Sequence, residues 1–252
     1  AVHLHYDQYA GIMPHIQCKK KMITSHYPYL ENPEPSCVFL YDFLKNSQSH
    51  IVSLSDRIKT EFIRRGIDGT NVSVLPCGID TQSYALDVDD VLFPDRSIVV
   101  GKIEPRKRQA HLQKQDLRID FVGNVSDQSF DTSDSSYLGE QSKQDIMDNL
   151  TAYANMVLLS SGEAHPFVCL EGLAAGLGLV LSEQSTANLD LSQPFITVIP
   201  DDKINDFDYL REKIEENRMI SLGMRHKIRQ YCYENFDWLK IIKKYKEIIN
   251  SI

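Results

Sequence analysis

Two glutamates, Glu163 and Glu171, frame the part of the sequence with the most chemical content, and Pro166 lies between them. An apolar run at residues 156–160 precedes the pair. A helical pattern ending at Gly176 and a second apolar run at residues 177–181 follow it. A strand that leads through a polar loop into a helix gathers free N–H groups and the positive end of the helix dipole at one point. The pattern therefore predicts a phosphate site, and the flanking carboxylates indicate a ligand that also carries hydroxyl groups.

Other interpretations of the two glutamates remain open. Glu163 fits a helix cap and Glu171 a solvated helix position. However, Glu171 stands between the apolar Leu170 and Leu173, where a carboxylate needs a polar partner such as a ligand hydroxyl. A catalytic acid and base would be a third interpretation. It is the least favoured, because one glutamate falls in a loop and the other inside a helix.

A basic loop is the second candidate. Residues 101–109 hold Lys102, Arg106, Lys107 and Arg108 directly after a strand-like run, in a chain with a net charge of −8. Basic side chains at that place could neutralise a pyrophosphate. A solvated basic loop explains them equally well, and these residues alone do not decide between the two.

Composition bounds the class of protein. The chain has 252 residues, 42% hydrophobic and 25% charged, which is ordinary for a globular protein of one or two domains. Its acidity argues against a general nucleic-acid binder. No apolar run of about 18 residues predicts a membrane span, and the first residues do not resemble a signal peptide. The odd number of scattered cysteines predicts free, mostly buried thiols and a cytoplasmic protein. They are Cys18, Cys37, Cys77, Cys169 and Cys232.

Strand-like and helix-like segments alternate, which predicts an α/β protein with parallel sheets. Residues 22–25 and 38–41 are short, ambiguous apolar runs. Residues 50–55 and 71–75 are predicted strands, and a helix over residues 57–65 is capped by Ser55 or Asp56. Its apolar face would comprise Ile58, Phe62 and Ile63.

The second half repeats this alternation after an irregular acidic link at residues 81–96. Predicted strands lie at 97–100, 119–122, 137–139, 156–160, 177–181 and 195–199, and predicted helices at 144–153, 209–217, 220–235 and 238–249. Residues 124–136 are expected to form a mobile loop. Gly101, Gly123, Gly139 and Ser160 end four of these strands, where doubly wound sheets bind ligands. Neither a G-x-G-x-x-G nor a P-loop motif is present.

The order of these segments resembles the retaining GT-B glycosyltransferases whose marker is two glutamates separated by seven residues. Residues 163–176 resemble E-x-x-P-x-x-x-x-E-A-x-A-x-G, and residues 101–107 resemble G-R-x-x-x-x-K. Residues 74–80 resemble V-x-P-N-G-I-D, the helix ending at Gly66 resembles S-x-x…G, and residues 236–238 resemble F-S-W. Each motif is weak alone, but five occur in the family's order. Lys102 replaces an arginine, Cys77 an asparagine and Gly178 a proline.

The resemblance implies a role for each matching position. Glu171 would bind the ribose hydroxyls of a nucleoside diphosphate and Glu163 would lie beside the donor sugar. Lys102 and Lys107 would neutralise the departing diphosphate. The N–H groups of Phe167, Val168 and Cys169 would hold the distal phosphate, and Tyr137 and Leu138 would lie against the base. Gly101, Arg106 and His165 would also contact the donor. His26 resembles a histidine that contacts the sugar, although a lone histidine after a strand is more often structural.

The resemblance also implies a fold and an activity. It predicts two Rossmann-like domains: a partial acceptor-side domain at residues 1–90 and a donor domain at 91–235. A last helix at 236–252 would pack back toward the first domain. The family's first domain begins with a further strand and a glycine-rich loop, so we expect the N-terminal domain to be incomplete here. The implied reaction moves a sugar from a nucleotide sugar to an acceptor with retention of configuration, and needs neither a metal nor another cofactor.

A truncated donor domain that binds nucleotide or pairs with a second subunit, without transfer, is the alternative to an active enzyme. The acceptor would be a glycan, a lipid-linked glycan or a small molecule, and nucleic acid is not expected as a partner. The basic cluster at residues 19–21 suggests peripheral contact with an anionic membrane, but a solvated loop is the plainer interpretation.

Overall fold

The computed structural model describes residues 1–26, 38–89 and 91–252. Its chain forms two compact units. The first comprises Ala1–Gly78, Gly162–His165 and Leu239–Ile252, and the second Ile79–Ser161 and Pro166–Trp238. The chain therefore crosses between the units at both ends of the short segment Gly162–His165, inside the motif that carries the two glutamates.

The first unit is built on a four-stranded parallel sheet in the order β1-β2-β3-β4. Its strands are β1 (Val2–Leu4), β2 (Lys21–Thr24), β3 (His50–Ser53) and β4 (Val72–Val74). Its first two helices are α1 (Val38–Asn46) and α2 (Asp56–Arg64), with a 3-10 segment at Asp7–His15. The strand at residues 50–55 and the cap at Ser55 are confirmed, because the Ser55 hydroxyl accepts the Ile58 N–H at 3.3 Å. Ile58 and Phe62 are buried, but Ile63 is exposed. The prediction that Ile63 belongs to the apolar face was therefore wrong.

The last helix of the chain, α7 (Trp238–Ser251), belongs to this first unit from Leu239 onward. His3 Nδ1 lies 2.9 Å from the Tyr245 hydroxyl, and Lys20 Nζ donates to the carbonyl of Ile249 at 2.6 Å. Lys21 Nζ donates to the carbonyl of Met13 at 2.8 Å. Two of the three lysines at residues 19–21 thus bind backbone oxygens, which accounts for part of this basic cluster without any external partner.

The second unit is a five-stranded parallel sheet in the order β6-β5-β7-β8-β9. Its strands are β5 (Phe93–Val100), β6 (Ile119–Val122), β7 (Tyr153–Leu158), β8 (Gly178–Ser182) and β9 (Ile196–Ile199). β7 and β8 are buried along their whole length, as expected for central parallel strands covered on both faces. The predicted strands here are confirmed except at residues 137–139, where a single bridge joins Tyr137 to Phe121.

Five helices complete the description: α3 (Gln109–Gln113), α4 (Lys143–Asn149), α5 (Phe167–Ala174) and α6 (Phe207–Phe236) in the second unit, and α7 (Trp238–Ser251). The prediction of a break at residues 218–219 was wrong, because α6 is one continuous helix of 30 residues. The predicted helix at residues 144–153 ends earlier, and Tyr153 instead begins β7. The ambiguous run at residues 38–41 begins a helix, and β5 starts inside the predicted irregular link.

A buried polar network explains why α6 lies so close to the sheet. Asn217 is fully buried, and its Nδ2 donates to the carbonyls of Leu179 and Phe195 at 3.2 and 3.1 Å. A Cβ on Gly178 would lie 2.9 Å from Asn217 Oδ1, and the Gly178 N–H donates to the Ser221 hydroxyl at 2.7 Å. A proline at position 178 would fill that space and remove that donor, which gives a physical reason for the departure from the family pattern.

Among the described residues, four cysteines carry free thiols: Cys169 and Cys232 are buried, and Cys18 and Cys77 are half-buried. Cys37 lies outside the described residues. Within the described ranges, no helix combines the length and the apolar character needed to cross a membrane.

Candidate functional site

The carboxyl ends of β5 and β6 approach each other closely in the second unit. Gly101 and Gly123 follow these strands with φ angles of +133° and +146°. A Cβ on Gly123 would lie 2.1 Å from the carbonyl oxygen of Gly101, so a side chain there would collide with backbone. The Gly123 N–H donates to the carbonyl of Gly139 at 2.9 Å. The predicted gathering of glycines at this edge of the sheet is therefore confirmed.

The basic loop is anchored to the end of β7 by its arginines. Arg106 Nη1 donates to the Ser160 hydroxyl at 2.9 Å, and Arg106 Nη2 forms an ion pair with Glu104 at 2.7 Å. Arg108 Nη1 donates to the carbonyl of Leu159 at 3.0 Å. The arginines thus fix the shape of the loop, a structural use that the sequence did not predict for Arg106.

The lysines of the same loop are left available. Neither Lys102, which is exposed, nor Lys107, which is half-buried, forms an ion pair or a side-chain hydrogen bond with any described residue. Lys107 Nζ lies over Gly101, 3.0 Å from the place that a Cβ would occupy. Two cationic groups therefore lie at the carboxyl edge of the sheet without a counterion among the described residues.

Helix α5 begins at the same edge, after β7, which is the strand next to β5. Pro166 precedes it without a side-chain cap, so the first N–H groups of the helix lack the usual capping acceptor. The N–H of Cys169 already donates to the carbonyl of Pro166 at 3.0 Å. Of the three amides that the resemblance assigned to a phosphate, those of Phe167 and Val168 are therefore the better placed. The Phe167 side chain is exposed.

Glu171 is buried on α5 and is held by two residues that the sequence did not single out. Its Oε1 forms an ion pair with Lys143 and accepts the hydroxyl of Tyr84 at 3.1 Å. Lys143 Nζ also donates to the Tyr84 hydroxyl at 2.5 Å and lies 5.3 Å from the centre of the Phe167 ring. Glu171 Oε2 has no hydrogen-bond partner among the described residues. One oxygen of the carboxylate is thus fixed and the other remains open.

The loop predicted to face a base divides into two roles. The Tyr137 hydroxyl donates to the carbonyl of Gly123 at 3.0 Å, and its ring packs against Phe130, so Tyr137 supports the loop. Leu138 is exposed and borders a cavity of about 800 Å³ that extends over Phe93 and Tyr153. Phe93 and Tyr153 begin β5 and β7, so this cavity lies toward the amino ends of the strands and away from the two lysines.

Three of the predicted residues lie in the first unit: His26, Glu163 and His165. His165 is buried, and its Nδ1 accepts the N–H of Cys77 at 3.0 Å. Burial lowers the pKa of His165 to about 4, so the ring is neutral at pH 7 and supports the turn at Cys77.

His26 and Glu163 are more accessible than His165. His26 Nε2 lies 3.2 Å from His5 Nδ1. Partial burial lowers the pKa of His26, and the nearby His5 lowers it further. Glu163 is half-buried. Tyr27 and Pro28, which follow His26, lie outside the described residues. Among the residues that are described, no group of three or more His, Cys, Asp or Glu side chains could hold a metal ion.

No family model matches this sequence, and no curated protein matches it either. Solved structures do match its fold. Sucrose-phosphate synthase from Thermosynechococcus elongatus is 16% identical with a TM-score of 0.74, over 99% of this chain and 72% of that one. Anabaena HepE in complex with UDP-glucose is 14% identical with a TM-score of 0.70, over 91% and 72%.

The pneumococcal O-GlcNAc transferase GtfA in complex with UDP and GlcNAc is 17% identical with a TM-score of 0.65. That match covers 92% of this chain and 52% of GtfA. At such identities the likeness is one of fold. The chain therefore has an α/β fold of the GT-B type, with two Rossmann-like units, similar to that of these three proteins.

Proposed function

We propose that this chain is a retaining glycosyltransferase that moves a sugar from a nucleoside-diphosphate sugar to an acceptor. The observation that carries the proposal is the carboxyl edge of the second sheet. There, Lys102 and Lys107 have no counterion among the described residues, and α5 begins at the same edge without a side-chain cap. A dianionic diphosphate would supply the missing negative charge, and the helix dipole would add to the attraction.

The chemistry follows from these groups. The bond between the anomeric carbon and the distal phosphate oxygen breaks, and its electron pair stays on that oxygen. Lys107 and Lys102 stabilise the charge that develops there, as preorganised donors do in other transfer reactions. The acceptor hydroxyl bonds to the anomeric carbon on the face that the diphosphate leaves, and its proton passes to the departing phosphate oxygen. Configuration is therefore retained without a covalent intermediate.

The remaining predicted residues take supporting roles in this proposal. Glu171 Oε2 would accept hydrogen bonds from ribose hydroxyls, and the amides of Phe167 and Val168 would bind the distal phosphate. Leu138 would contact the base. Glu163 and His26, which belong to the first unit, would contact the donor sugar. The acceptor would be a glycan, a lipid-linked glycan or a small molecule. The first unit would provide most of the acceptor side and the second unit most of the donor side.

Two of the structural relatives give this proposal its donor class. HepE was solved with UDP-glucose and GtfA with UDP and GlcNAc. We therefore choose UDP, GDP and ADP, and the corresponding glucose and N-acetylglucosamine donors, as the first probes. Calorimetric titration measures binding, and release of the nucleoside diphosphate measures donor hydrolysis or transfer.

The deciding variant is Lys107→Ala, with Lys114→Ala as the matched control. Lys114 is exposed and follows α3. The control variant therefore removes the same charge from the same segment without altering the sheet edge. We expect Lys107→Ala to lower kcat by about 10²-fold, the scale on which the loss of one charge-stabilising donor acts. The control should retain wild-type turnover.

Two outcomes would contradict the enzyme proposal. Unchanged turnover in Lys107→Ala would remove the assigned role of the basic loop. Nucleotide binding by the wild type with neither hydrolysis nor transfer would indicate the alternative, a nucleotide-binding module without catalysis.

A further inference from the structure

Four residues of the second unit, Tyr84, Lys143, Phe167 and Glu171, form a compact group that we call the Glu171 cluster. Lys143 Nζ pairs with Glu171 Oε1 and lies 5.2 and 5.3 Å from the centres of the Tyr84 and Phe167 rings. The ammonium group is therefore surrounded by a carboxylate and two aromatic faces, each of which attracts a cation.

The position of Lys143 is fixed by the local structure around it. It is the first residue of α4, and Ser142 caps that helix through a reciprocal pair of hydrogen bonds with Asp145. The Lys143 side chain is 54% exposed, whereas that of Glu171 is 11% exposed. A carboxylate that is so far removed from water needs a charged or polar partner, and Lys143 supplies it.

The contacts of Glu171 are one-sided. Oε1 receives both Lys143 and the Tyr84 hydroxyl, whereas Oε2 has no partner among the described residues. Burial, and after it the charge of Glu171, raises the pKa of Tyr84, so the phenol keeps the proton that it donates. Two donors on one oxygen fix the plane of the carboxylate and hence the direction in which Oε2 can accept a hydrogen bond.

We propose that Lys143, assisted by Tyr84, is a positioning residue that aims Glu171 Oε2 at ribose hydroxyls and makes the site selective for ribonucleoside over deoxyribonucleoside diphosphates. This inference rests on the proposed function. A carboxylate that is aimed and partly desolvated discriminates strongly against a ligand that lacks the hydroxyl, because its acceptor is then left unpaired. A carboxylate that is free to rotate into water would discriminate weakly.

The structure also suggests the opposite role, which the experiment must separate. Lys143 could instead hold Glu171 closed and compete with the nucleotide for the carboxylate. Removal of the lysine would then raise nucleotide affinity, whereas removal of a positioning residue lowers both affinity and selectivity.

The experiment titrates the full chain with UDP, GDP and ADP and with the 2′-deoxy form of each, and follows the pair that binds most tightly. We expect the wild type to favour the ribonucleotide by about 10- to 100-fold, the range for one hydrogen bond to a charged group. In Lys143→Met the ribonucleotide should bind about tenfold more weakly and the preference should shrink toward unity. Lys143→Arg should restore most of the preference, because it restores a cation of similar reach.

Two further variants distinguish a loss of positioning from a folding defect. Tyr84→Phe keeps the ring and one donor on Oε1, so it should fold and should lower the preference by a smaller factor than Lys143→Met. Lys213→Met removes a lysine of α6 that pairs with Glu212 and Glu216, and it should leave the preference unchanged. Thermal melts of each variant report the fold independently.

Each outcome bears on a different claim. An unchanged preference in Lys143→Met, or tighter nucleotide binding, overturns the positioning role while leaving the proposed function in place. A wild type that binds none of the six nucleotides overturns the proposed function together with this inference.

Discussion

The two units of the chain share a parallel α/β plan but differ in charge and in their interiors. By sequence, the first unit carries twelve lysines and arginines against nine acidic residues, and the second carries fifteen against 26. The acidic second unit nevertheless holds Lys102 and Lys107 at its sheet edge with no counterion among the described residues. Net charge therefore says little about where an anion would bind, because the local arrangement of a few groups outweighs the total at short range.

Their interiors differ as well. In the second unit, α6 crosses the sheet on a fully buried polar network around Asn155, Asn217 and Ser221. In the first unit, buried hydrogen bonds between side chains are more scattered, as between Ser25 and Asp7 at 2.6 Å. We expect the second unit to tolerate fewer substitutions at its centre, since a buried network is costly once one member is lost.

The largest expected effect concerns the glycine at the end of β6. Gly123→Ala should destabilise the second unit by about 3 kcal/mol or more, because its Cβ would collide with backbone at a φ of +146°. Gly66→Ala is the counterpart in the first unit, where the φ is +85° and the Cβ would meet a flexible lysine end at 3.4 Å. It should cost only about 1 kcal/mol. Urea denaturation measures both, and similar losses would show that the edge is not constrained as described.

The next effect tests the polar network. Asn217→Ala should cost about 2–3 kcal/mol, since it removes one donor from each of the carbonyls of Leu179 and Phe195 and one acceptor from the side-chain amide of Asn155. Asn235→Ala, on the exposed side of the same helix, should cost less than about 0.5 kcal/mol. Equal losses in the free energy of unfolding would mean that helix propensity, and not the network, determines the effect of both substitutions.

The third effect is a pH dependence of the first unit. The pKa values of His165 and His3 are lowered to about 4 by burial, to which the nearby His5 and His26 add in the case of His3. The His3 ring packs on that of His5 and forms hydrogen bonds with the hydroxyls of Thr24 and Tyr245. Both rings are neutral when folded, whereas in the unfolded chain they bind a proton below about pH 6.5. The contribution of the two rings to the free energy of unfolding is therefore fully present above pH 6.5 and is lost as the pH drops toward 4. The loss is about 2 kcal/mol at pH 5 from His165 alone.

Hydrogen exchange at pH 7 and pH 5, corrected for intrinsic rates, measures this loss in β1, β2 and α7. His165→Gln should reduce the dependence, because an amide oxygen can accept the Cys77 N–H but does not titrate in this range. Protection in the first unit that does not change with pH in the wild type would rule out the assigned linkage.

Local sequence signals located most of the elements. Ser55 before a helical pattern and glycines after apolar runs mark element ends because caps and left-handed turns are made by neighbouring residues. The errors occurred where tertiary contacts override the pattern. The break predicted at residues 218–219 falls inside α6, where Arg218 and Arg225 are buried and donate to the backbone carbonyls of Leu117 and Thr151.

The amino-acid sequence by itself determined the two α/β units, the glycines at the sheet edge and the positions of Glu163 and Glu171, because periodicity, caps and turns depend on adjacent residues. Only the tertiary structure decided which charges are available. Arg106 is used by Glu104 and Ser160, whereas Lys107 is not paired with any described residue. Tyr84 and Lys143 meet Glu171 across 87 and 28 residues of chain. Such contacts depend on how distant strands and helices pack, which no local pattern in the sequence records.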